Sequence, residues 1–251
     1  MANYIIHVSN DALMEMIIGT LEAYVIPRRA ANNQTETETE LETYGLLWGH
    51  EVTLPDGDIL YSIDKLTIDG MADRRIDSIL PSDGLEVVKD VITSYFPQHA
   101  LLGDFHSHPY PHYTEVKQCK GYHFSEDDLQ SMLASRQHDS DFRVSLVMTI
   151  AALKRCSEQP YENIAPNIAC WTFNNYRFWL TACVLFDGPT SEQVGALPNS
   201  PHWSLQFLHP DIDEVLLHCP YLQGPWQVTR FGKKIGQGQH RPGDVRRCMN
   251  V

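Results

Sequence analysis

Two histidines, His106 and His108, flank a single serine at the end of an apolar run, in the sequence GDFHSHP. Residues i and i+2 of a β-strand project from the same face, so both imidazoles are expected to point to one place. Pro109 follows and lacks the N–H that a strand ladder needs, which predicts that this place lies at a strand end. Two imidazoles at that spacing are typical of a site where the protein holds a metal ion.

A carboxylate that can complete such a site stands at the start of the next helix. Ser125 and Asp128, in the sequence SEDDLQ, have the spacing of a helix N-cap and its third helical residue. Two histidines, one aspartate and a water form a catalytic zinc arrangement with an open position. Asp127 is a weaker competitor for the third ligand. Ser-x-x-Asp is also the pattern of an ordinary capping box, and a surface His-x-His pair often binds nothing.

Glu42 is the candidate general base for a reaction at this site. The sequence ELETYGLLWG places it at the start of a strand that is expected beside the histidine strand. An alternative stays open, because Glu42 is also the last of four alternating glutamates in TETETELE. In that interpretation it is one more solvated charge without a catalytic role.

The elements that must position these residues alternate between strands and helices. The pattern predicts a strand in NYIIHVS, a helix in DALMEMIIGTLEAYVIP and a mobile loop in RRAANNQTETETE. A hairpin is predicted for LETYGLLWGHEV and DILYSIDKLTID, which a Pro-Asp-Gly turn separates. An amphipathic helix in PSDGLEVVKDVITSYFPQH, with Ser82 as its cap candidate, precedes the histidine strand. The SEDDLQ helix and the strands FRVSLVMTIAAL and NIACWTFNNYRFWLTACVLF follow, so we expect an α/β fold with helices packed on a mixed sheet.

Composition is that of a globular protein, with 43% hydrophobic and 20% charged residues in 251. We expect one domain over residues 1–186. From residue 187 the amino-acid composition changes, because residues 187–251 hold 7 of the 15 prolines and 7 of the 15 glycines. This part is predicted to be a loosely structured C-terminal extension.

Charge and cysteine usage exclude several classes of function. A net charge of −13 argues against nucleic acid as a partner and favours basic peptides or basic protein tails. The first residues lack a cationic segment and a long apolar run, so neither a signal peptide nor a membrane span is expected. Six scattered cysteines without a Cys-x-x-Cys pair suit reduced thiols, and a cytoplasmic location is expected: Cys119, Cys156, Cys170, Cys183, Cys219 and Cys248.

Three motifs taken together resemble the JAMM (MPN+) zinc metalloprotease family. They are Glu-x-x-Gly-Leu-Leu-x-Gly (Glu42–Gly49), His-Ser-His-Pro (His106–Pro109) after Gly-Asp-Phe, and Ser-x-x-Asp (Ser125–Asp128) at a helix start. The resemblance covers roughly residues 4–186 in the order of elements, and it is strongest to the stand-alone prokaryotic members.

The resemblance implies a cytidine-deaminase-like mixed sheet (the MPN fold) and zinc isopeptidase activity. One catalytic Zn²⁺ would be bound by His106, His108 and Asp128. Glu42 would take the proton of a water activated by the zinc, and Ser125 would help to hold the oxyanion. The implied substrate is the C-terminal tail of a ubiquitin-like protein, which is cut in deconjugation or in precursor maturation. A partner subunit is a further candidate requirement.

One segment departs from the family pattern. Tyr110–Phe124 separates the two zinc motifs and is longer by about nine residues than its family counterpart, a length that costs little loop-closure entropy. It offers His112, Cys119 and His123, which predict either a further metal site or a fourth ligand that keeps the enzyme latent. The simpler alternative is a substrate-contacting loop with aromatic side chains packed beneath it.

Two other functions compete with the peptidase. A non-catalytic MPN scaffold would bind protein partners through the same fold, although such members typically lack the metal residues that are complete in this chain. A zinc hydrolase of small molecules, such as a deaminase, needs cysteine ligands and a Pro-Cys-x-x-Cys run, which the sequence lacks.

Overall fold

The computed structural model describes residues 4–30, 33–76, 78–138, 143–155, 161–185, 215–223, 228–230 and 233–235. Within these ranges the chain forms five helices: α1 (Asn10–Val25), α2 (Leu85–Tyr95), α3 (Tyr113–Cys119), α4 (Glu126–His138) and α5 (Pro220–Gln223). Three two-stranded ribbons lie outside the main sheet: β2 (Arg28–Ala30) with β3 (Asn33–Glu38), β6 (Asp73–Arg74) with β7 (Ile79–Leu80), and β14 (Val228–Arg230) with β15 (Lys233–Ile235).

In the described part of the chain, the main sheet has nine strands and mixed direction. Its spatial order is β10 (Glu162–Ala165), β11 (Ile168–Phe173), β12 (Tyr176–Val184), β9 (Val144–Ala152), β8 (Ala100–Tyr110), β4 (Tyr44–Thr53), β5 (Ile59–Ile68), β1 (Tyr4–Val8) and β13 (Val215–His218). Strand β8 runs parallel to β9 and antiparallel to β4, and β1 runs parallel to both β5 and β13. The α/β class predicted from the sequence is therefore confirmed.

The sheet curls until its two ends meet. Leu217 in β13 donates its N–H to the carbonyl of Pro166, in the turn between β10 and β11, at 2.9 Å. This closure satisfies part of an edge that would otherwise present unpaired backbone groups. Strand β13 comes from the region that the sequence pattern assigns to a loosely structured extension, so part of that extension belongs to the sheet.

Helices cover both faces of the sheet. In β9, Leu146 and Met148 pack in the large cluster with Leu13 and Met16 of α1. The intervening Val147 belongs to a second cluster on the other face, with Leu129 and Met132 of α4. A strand buried on both faces by helices is largely apolar, and in VSLVMTIAA only Ser145 and Thr149 are polar.

Most predicted elements are present, with three local corrections. The β4–β5 hairpin, helix α2 and helix α4 form where the patterns predict them. The polar segment predicted as a mobile loop forms the β2–β3 ribbon instead, and the threonines of its second strand favour extended backbone. Strand β8 does not end before Pro109: it continues to Tyr110, and Pro109 is paired in register with Ile150 of β9. Ser82 does not cap α2, whose N-cap is Gly84.

In the described part of the chain, no helix combines the length and the apolar character that crossing a bilayer requires. The parts of the predicted extension that fall on residues 187–214, 224–227, 231–232 and 236–251 lie outside the described residues.

Candidate metal centre

His106, His108 and Asp128 meet at one point on the face of the sheet that α4 covers. The Nε2 atoms of the two histidines lie 3.2 Å apart. The Asp128 carboxylate offers one oxygen to each histidine: Oδ1 lies 3.2 Å from His106 Nε2, and Oδ2 lies 3.2 Å from His108 Nε2. All three side chains are largely buried, so water screens their interaction only weakly.

These separations fit a metal ion. Zinc binds imidazole nitrogen and carboxylate oxygen at about 2.0–2.2 Å, so two neighbouring ligands of a tetrahedral ion lie about 3.3–3.5 Å apart. Two imidazole nitrogens that face each other can share only one proton, so a cation that accepts both lone pairs suits the pair better. The group could therefore hold a metal ion, and the chain supplies three ligands to it.

A capping box at the start of α4 fixes the carboxylate. Asp128 N–H donates to Ser125 Oγ at 3.1 Å, and Ser125 N–H donates to Asp128 Oδ2 at 2.6 Å. The two interpretations of Ser-x-x-Asp thus describe one arrangement, because the acid that caps the helix also faces the histidines. Asp127 is exposed and, among the described residues, belongs to neither group that could hold a metal ion, so Asp128 is the candidate for the third position.

The serine between the histidines anchors the strand that carries them. Ser107 is fully buried, and its hydroxyl accepts a hydrogen bond from Thr43 N–H at 2.9 Å. Ser107 N–H donates in turn to the Thr43 carbonyl at 3.0 Å. The sequence spacing predicts that Ser107 points away from the histidines, and its side chain does so while it holds the segment beside them.

That segment contains Glu42, which lies just before β4. Its side chain is 8% exposed. Backbone hydrogen bonds hold it on two sides, since Glu42 N–H donates to the Arg75 carbonyl and Leu41 N–H to the Ala23 carbonyl. Glu40 has a left-handed φ of 59°, which turns the chain into this position. Glu42 is therefore a buried carboxylate in a fixed segment, and the interpretation of it as a solvated charge is excluded.

The charges at the centre reinforce one another. Burial opposes protonation of His106, but the adjacent Asp128 outweighs burial and raises the pKa of His106 to about 9. The negative charges of Asp104 and Glu42 act in the same direction, which places Glu42 within electrostatic reach of His106. Burial also raises the pKa of Asp128, but the hydrogen bonds of the two histidines hold it well below its ordinary value. The site favours positive charge.

Asp104 is a functional candidate that the sequence pattern did not single out. It is buried two residues before His106 and accepts a hydrogen bond from the Ser145 hydroxyl at 2.5 Å. Burial raises the pKa of Asp104, while His106 and the Ser145 hydroxyl lower it. The i, i+2 spacing that predicted the histidine pair also places Asp104 on their face of β8.

The Tyr110–Phe124 insertion is a packed element of the site. It forms α3, whose Val116 is fully buried against the sheet, while Tyr113 and Tyr122 stack on Trp179 of β12. The aromatic packing predicted as the simpler alternative is therefore present.

The insertion also supports His108, a candidate metal ligand. The Gly121 carbonyl accepts a hydrogen bond from the Thr149 hydroxyl at 3.0 Å and lies 3.4 Å from His108 Nδ1. A backbone carbonyl behind a ligating histidine orients the ring and selects its tautomer. A side chain there would displace Tyr110, because a Cβ at residue 121 would lie 2.2 Å from the Tyr110 hydroxyl oxygen.

His112, Cys119 and His123 do not form the predicted further metal site. Among the described residues, each metal-binding group consists of other side chains, and none of these three joins His106, His108 and Asp128. Cys119 is exposed, and its thiol points back to the Glu115 carbonyl of its own helix at 3.1 Å. The geometry therefore gives no support to a latent enzyme with a fourth protein ligand.

A second group that could hold a metal ion lies elsewhere, and the sequence patterns did not indicate it. It consists of His50, Asp64 and His99, from three neighbouring strands or their ends. No local spacing connects these residues. Single histidines such as His50, in a predicted strand, and His99, after a predicted helix, are too common to indicate a site.

A comparison with protein-family models finds no match for this chain, and a comparison with curated proteins finds none either.

Proposed function

We propose that the chain is a zinc-dependent isopeptidase or peptidase of the JAMM (MPN+) type, with the cytidine-deaminase-like MPN fold. It would cleave after the C-terminus of a ubiquitin-like protein, either to release a conjugate or to mature a precursor. The observation that carries the proposal is the set of three side chains His106, His108 and Asp128, in which the two imidazole nitrogens lie 3.2 Å apart and each lies 3.2 Å from one oxygen of the carboxylate. The buried Glu42 beside them adds a group that such a reaction needs.

The three side chains would bind one zinc ion through two imidazole nitrogens and one carboxylate. When bound, zinc lowers the pKa of water from about 15.7 to about 7 and polarises a carbonyl oxygen. The remaining residues of the site are then assigned by their positions. Gly121 and Asp104 support His108 and His106, and the capping box holds Asp128 on the histidines.

Glu42 would act as general base and then as general acid. Its carboxylate is largely withdrawn from solvent and lies close enough to His106 to influence its pKa. In this role Glu42 removes a proton from the attacking water and delivers it to the leaving amine. A positioned carboxylate of this kind contributes about 10²–10⁴-fold to a rate.

Ser125 would help to hold the oxyanion. Ser125 is exposed at the N-terminus of α4, and its hydroxyl accepts one hydrogen bond from Asp128 N–H. That bond leaves the hydroxyl proton free to donate to a developing negative charge. The role is compatible with the cap, since capping uses the lone pair and the oxyanion would use the proton.

The substrate would be the extended C-terminal tail of a ubiquitin-like protein, attached to a lysine or to a C-terminal peptide. The acidic chain, with a net charge of −13, favours a basic tail or host. We place this activity in the cytoplasm, and a partner subunit is an additional requirement to test.

The test uses a panel of ubiquitin-like proteins, each joined through its C-terminus to a reporter peptide or to a lysine side chain. Wild-type protein loaded with zinc is expected to cleave at least one of them. Glu42→Gln should lower turnover by about 10²-fold or more with its zinc retained, and His108→Ala should lose both turnover and that zinc. Glu51→Gln, an exposed glutamate of β4, is the matched control and should behave as wild type.

Two outcomes would contradict the proposal. Full activity in Glu42→Gln removes the assigned base. Zinc bound at the His106 centre without cleavage of any member of the panel, with and without cell extract to supply a partner, favours the non-catalytic scaffold.

A further inference from the structure

His50, Asp64 and His99 gather at the far end of β8 from the first centre. His50 Nδ1 lies 3.2 Å from Asp64 Oδ2, and His99 Nδ1 lies 3.9 Å from the same oxygen. The two imidazole rings are stacked, with centroids 6.5 Å apart. His99 stands seven residues before His106 along β8, so at about 3.3 Å per residue the two groups are roughly 20 Å apart. They are independent sites.

A β-bulge directs the Asp64 side chain towards His50 and His99. Trp48 pairs with Lys65 and Gly49 pairs with Ile63, so Asp64 is the extra residue of β5. A second irregularity in the pairing of β4 with β8 follows at once, between Leu47 and Trp48. Bulges redirect side chains and are over-represented beside functional sites. Here they bring residues from β5, β4 and the start of β8 to one place.

The carboxylate is held so that one oxygen serves both histidines. Asp64 Oδ1 accepts a hydrogen bond from the Ser62 hydroxyl at 3.1 Å, and the Ser9 hydroxyl donates to the Asp64 carbonyl at 3.0 Å. Oδ2 is the atom that faces His50 and His99. Hydrogen bonding of the second oxygen is the usual support of a carboxylate that binds metal through the first.

His99 supplies the independent observation that points to a ligand. Its Nδ1 atom is buried, and among the described residues it has no hydrogen-bond partner. A buried imidazole nitrogen without a partner costs free energy, because the water that it loses is not replaced. A cation beside Asp64 Oδ2 would restore that partner.

We infer that His50, Asp64 and His99 form a second metal site, which binds a divalent transition-metal ion such as zinc. The bound ion would link β4, β5 and the start of β8. Two imidazoles and one carboxylate suit zinc, copper and nickel, whereas calcium and magnesium prefer oxygen ligands alone. The 3.2 Å pair already matches tetrahedral zinc, and the 3.9 Å pair must close by roughly 0.5 Å. The side chains are 50%, 27% and 24% exposed in the order His50, Asp64, His99, so water can complete the coordination.

The site is structural rather than catalytic. It lies where bulges interrupt the hydrogen-bonded ladders of β5, β4 and β8, and an ion there replaces lost ladder bonds with ligand bonds. An ion that binds the folded chain alone stabilises it by mass action. The inference does not depend on the peptidase activity proposed for the first centre.

The test is the number of zinc ions per chain, measured by elemental analysis after equilibrium dialysis of the full chain against micromolar zinc. Wild type is expected to hold two. His50→Ala and His106→Ala should each hold one, and the double variant His50→Ala/His106→Ala should hold none. His112→Ala replaces an exposed histidine outside both groups and should keep two.

A second measurement separates loss of the ion from loss of the fold. In the His106→Ala background, added zinc should raise the melting temperature, and that rise should disappear when His50→Ala is added. His50 is half exposed, so its replacement leaves the core intact, and circular dichroism of the metal-free variants checks this.

The outcomes distinguish the two centres. One zinc in wild type that only His106→Ala removes overturns the second site and leaves the first. If wild type holds one zinc and only His50→Ala loses it, the second site is supported and the first centre does not bind zinc. Two zinc ions retained in His50→Ala show that Asp64 forms only ion pairs with the histidines, and this overturns the inference.

Discussion

Ser107 and Thr43 are joined by two hydrogen bonds, one in each direction, between the histidine strand and the segment that carries Glu42. Thr43 N–H donates to Ser107 Oγ at 2.9 Å, and Ser107 N–H donates to the Thr43 carbonyl at 3.0 Å. Both side chains are fully buried. The serine within His-Ser-His thus sets the position of the proposed base relative to the proposed ligands.

Ser107→Ala is expected to weaken both the fold and the reaction while the first centre keeps its metal. The change leaves the buried Thr43 N–H without a partner, which costs about 1–3 kcal/mol of unfolding free energy. Turnover should fall as well, because Glu42 loses an anchor. Chemical denaturation, elemental analysis and fusion cleavage measure the three quantities.

Thr67→Val is the matched control for Ser107→Ala. Thr67 accepts a hydrogen bond from Trp48 Nε1 at 3.0 Å in the same sheet, so its removal deletes a comparable bond away from the centre. Stability should fall with turnover unchanged. If both variants lose turnover in proportion to stability, Ser107 has no specific positioning role.

The two roles of Ser125 can be separated by substitution. Ser125→Ala removes the cap of α4, so we expect a loss of about 1 kcal/mol in stability and weaker zinc binding, since Asp128 loses its constraint. Ser125→Asn restores a capping oxygen but not the hydroxyl. It should recover stability and zinc affinity while turnover stays low. Recovery of turnover in Ser125→Asn would show that Ser125 acts through the cap alone.

Stability of the metal-free protein should depend on pH through His106. Its pKa rises from 6.5 to about 9 on folding, so its contribution is complete below about pH 6.5 and is lost as the pH rises to about 9. Asp128 is the partner of His106 in this interaction. Its pKa is held below the ordinary value, so the stability that its charge contributes is lost when acid protonates the carboxylate. Denaturation in the presence of a chelator at several pH values measures the effect. Asp128→Asn should abolish the alkaline loss, whereas Asp127→Asn, an exposed neighbour, should retain it.

Zinc must displace the proton of His106 in order to bind. The apparent zinc affinity of the first centre is therefore expected to rise about tenfold per pH unit up to about pH 9 and to level off above it. Competition with a chelator of known affinity measures this dependence in the His50→Ala variant, where the second site cannot contribute. A flat profile between pH 6.5 and 9 would contradict the assigned charge state.

The thiol of Cys119 should react independently of zinc. Cys119 is exposed on α3, whereas Cys183 and Cys219 are buried, and burial raises the pKa of Cys219 to about 12. Under native conditions we expect rapid alkylation of Cys119 and slow alkylation of the two buried thiols. Peptide mapping by mass spectrometry measures the rates with zinc and with a chelator. Protection of Cys119 by zinc would restore it as a ligand.

Local patterns were sufficient for most of the elements and for the local arrangement within each half of the first centre. The period-2 spacing of His106 and His108 and the capping pattern of Ser125 and Asp128 each depend on contacts within four residues, and both arrangements are present. The β4–β5 hairpin follows in the same way from its turn residues. These features are local because side-chain direction and capping are dictated by the backbone of the same element.

The amino-acid sequence by itself determined that His106, His108 and Asp128 could bind metal and that the two histidines lie on one face of β8. Only the tertiary structure decided that Glu42 is buried, that the Tyr110–Phe124 insertion packs on Trp179, and that β13 closes the curled sheet. It alone assembled His50, Asp64 and His99, which no local spacing connects. The physical reason is that these contacts join residues far apart in the chain, where pairing, bulges and burial of the whole sheet set the distances.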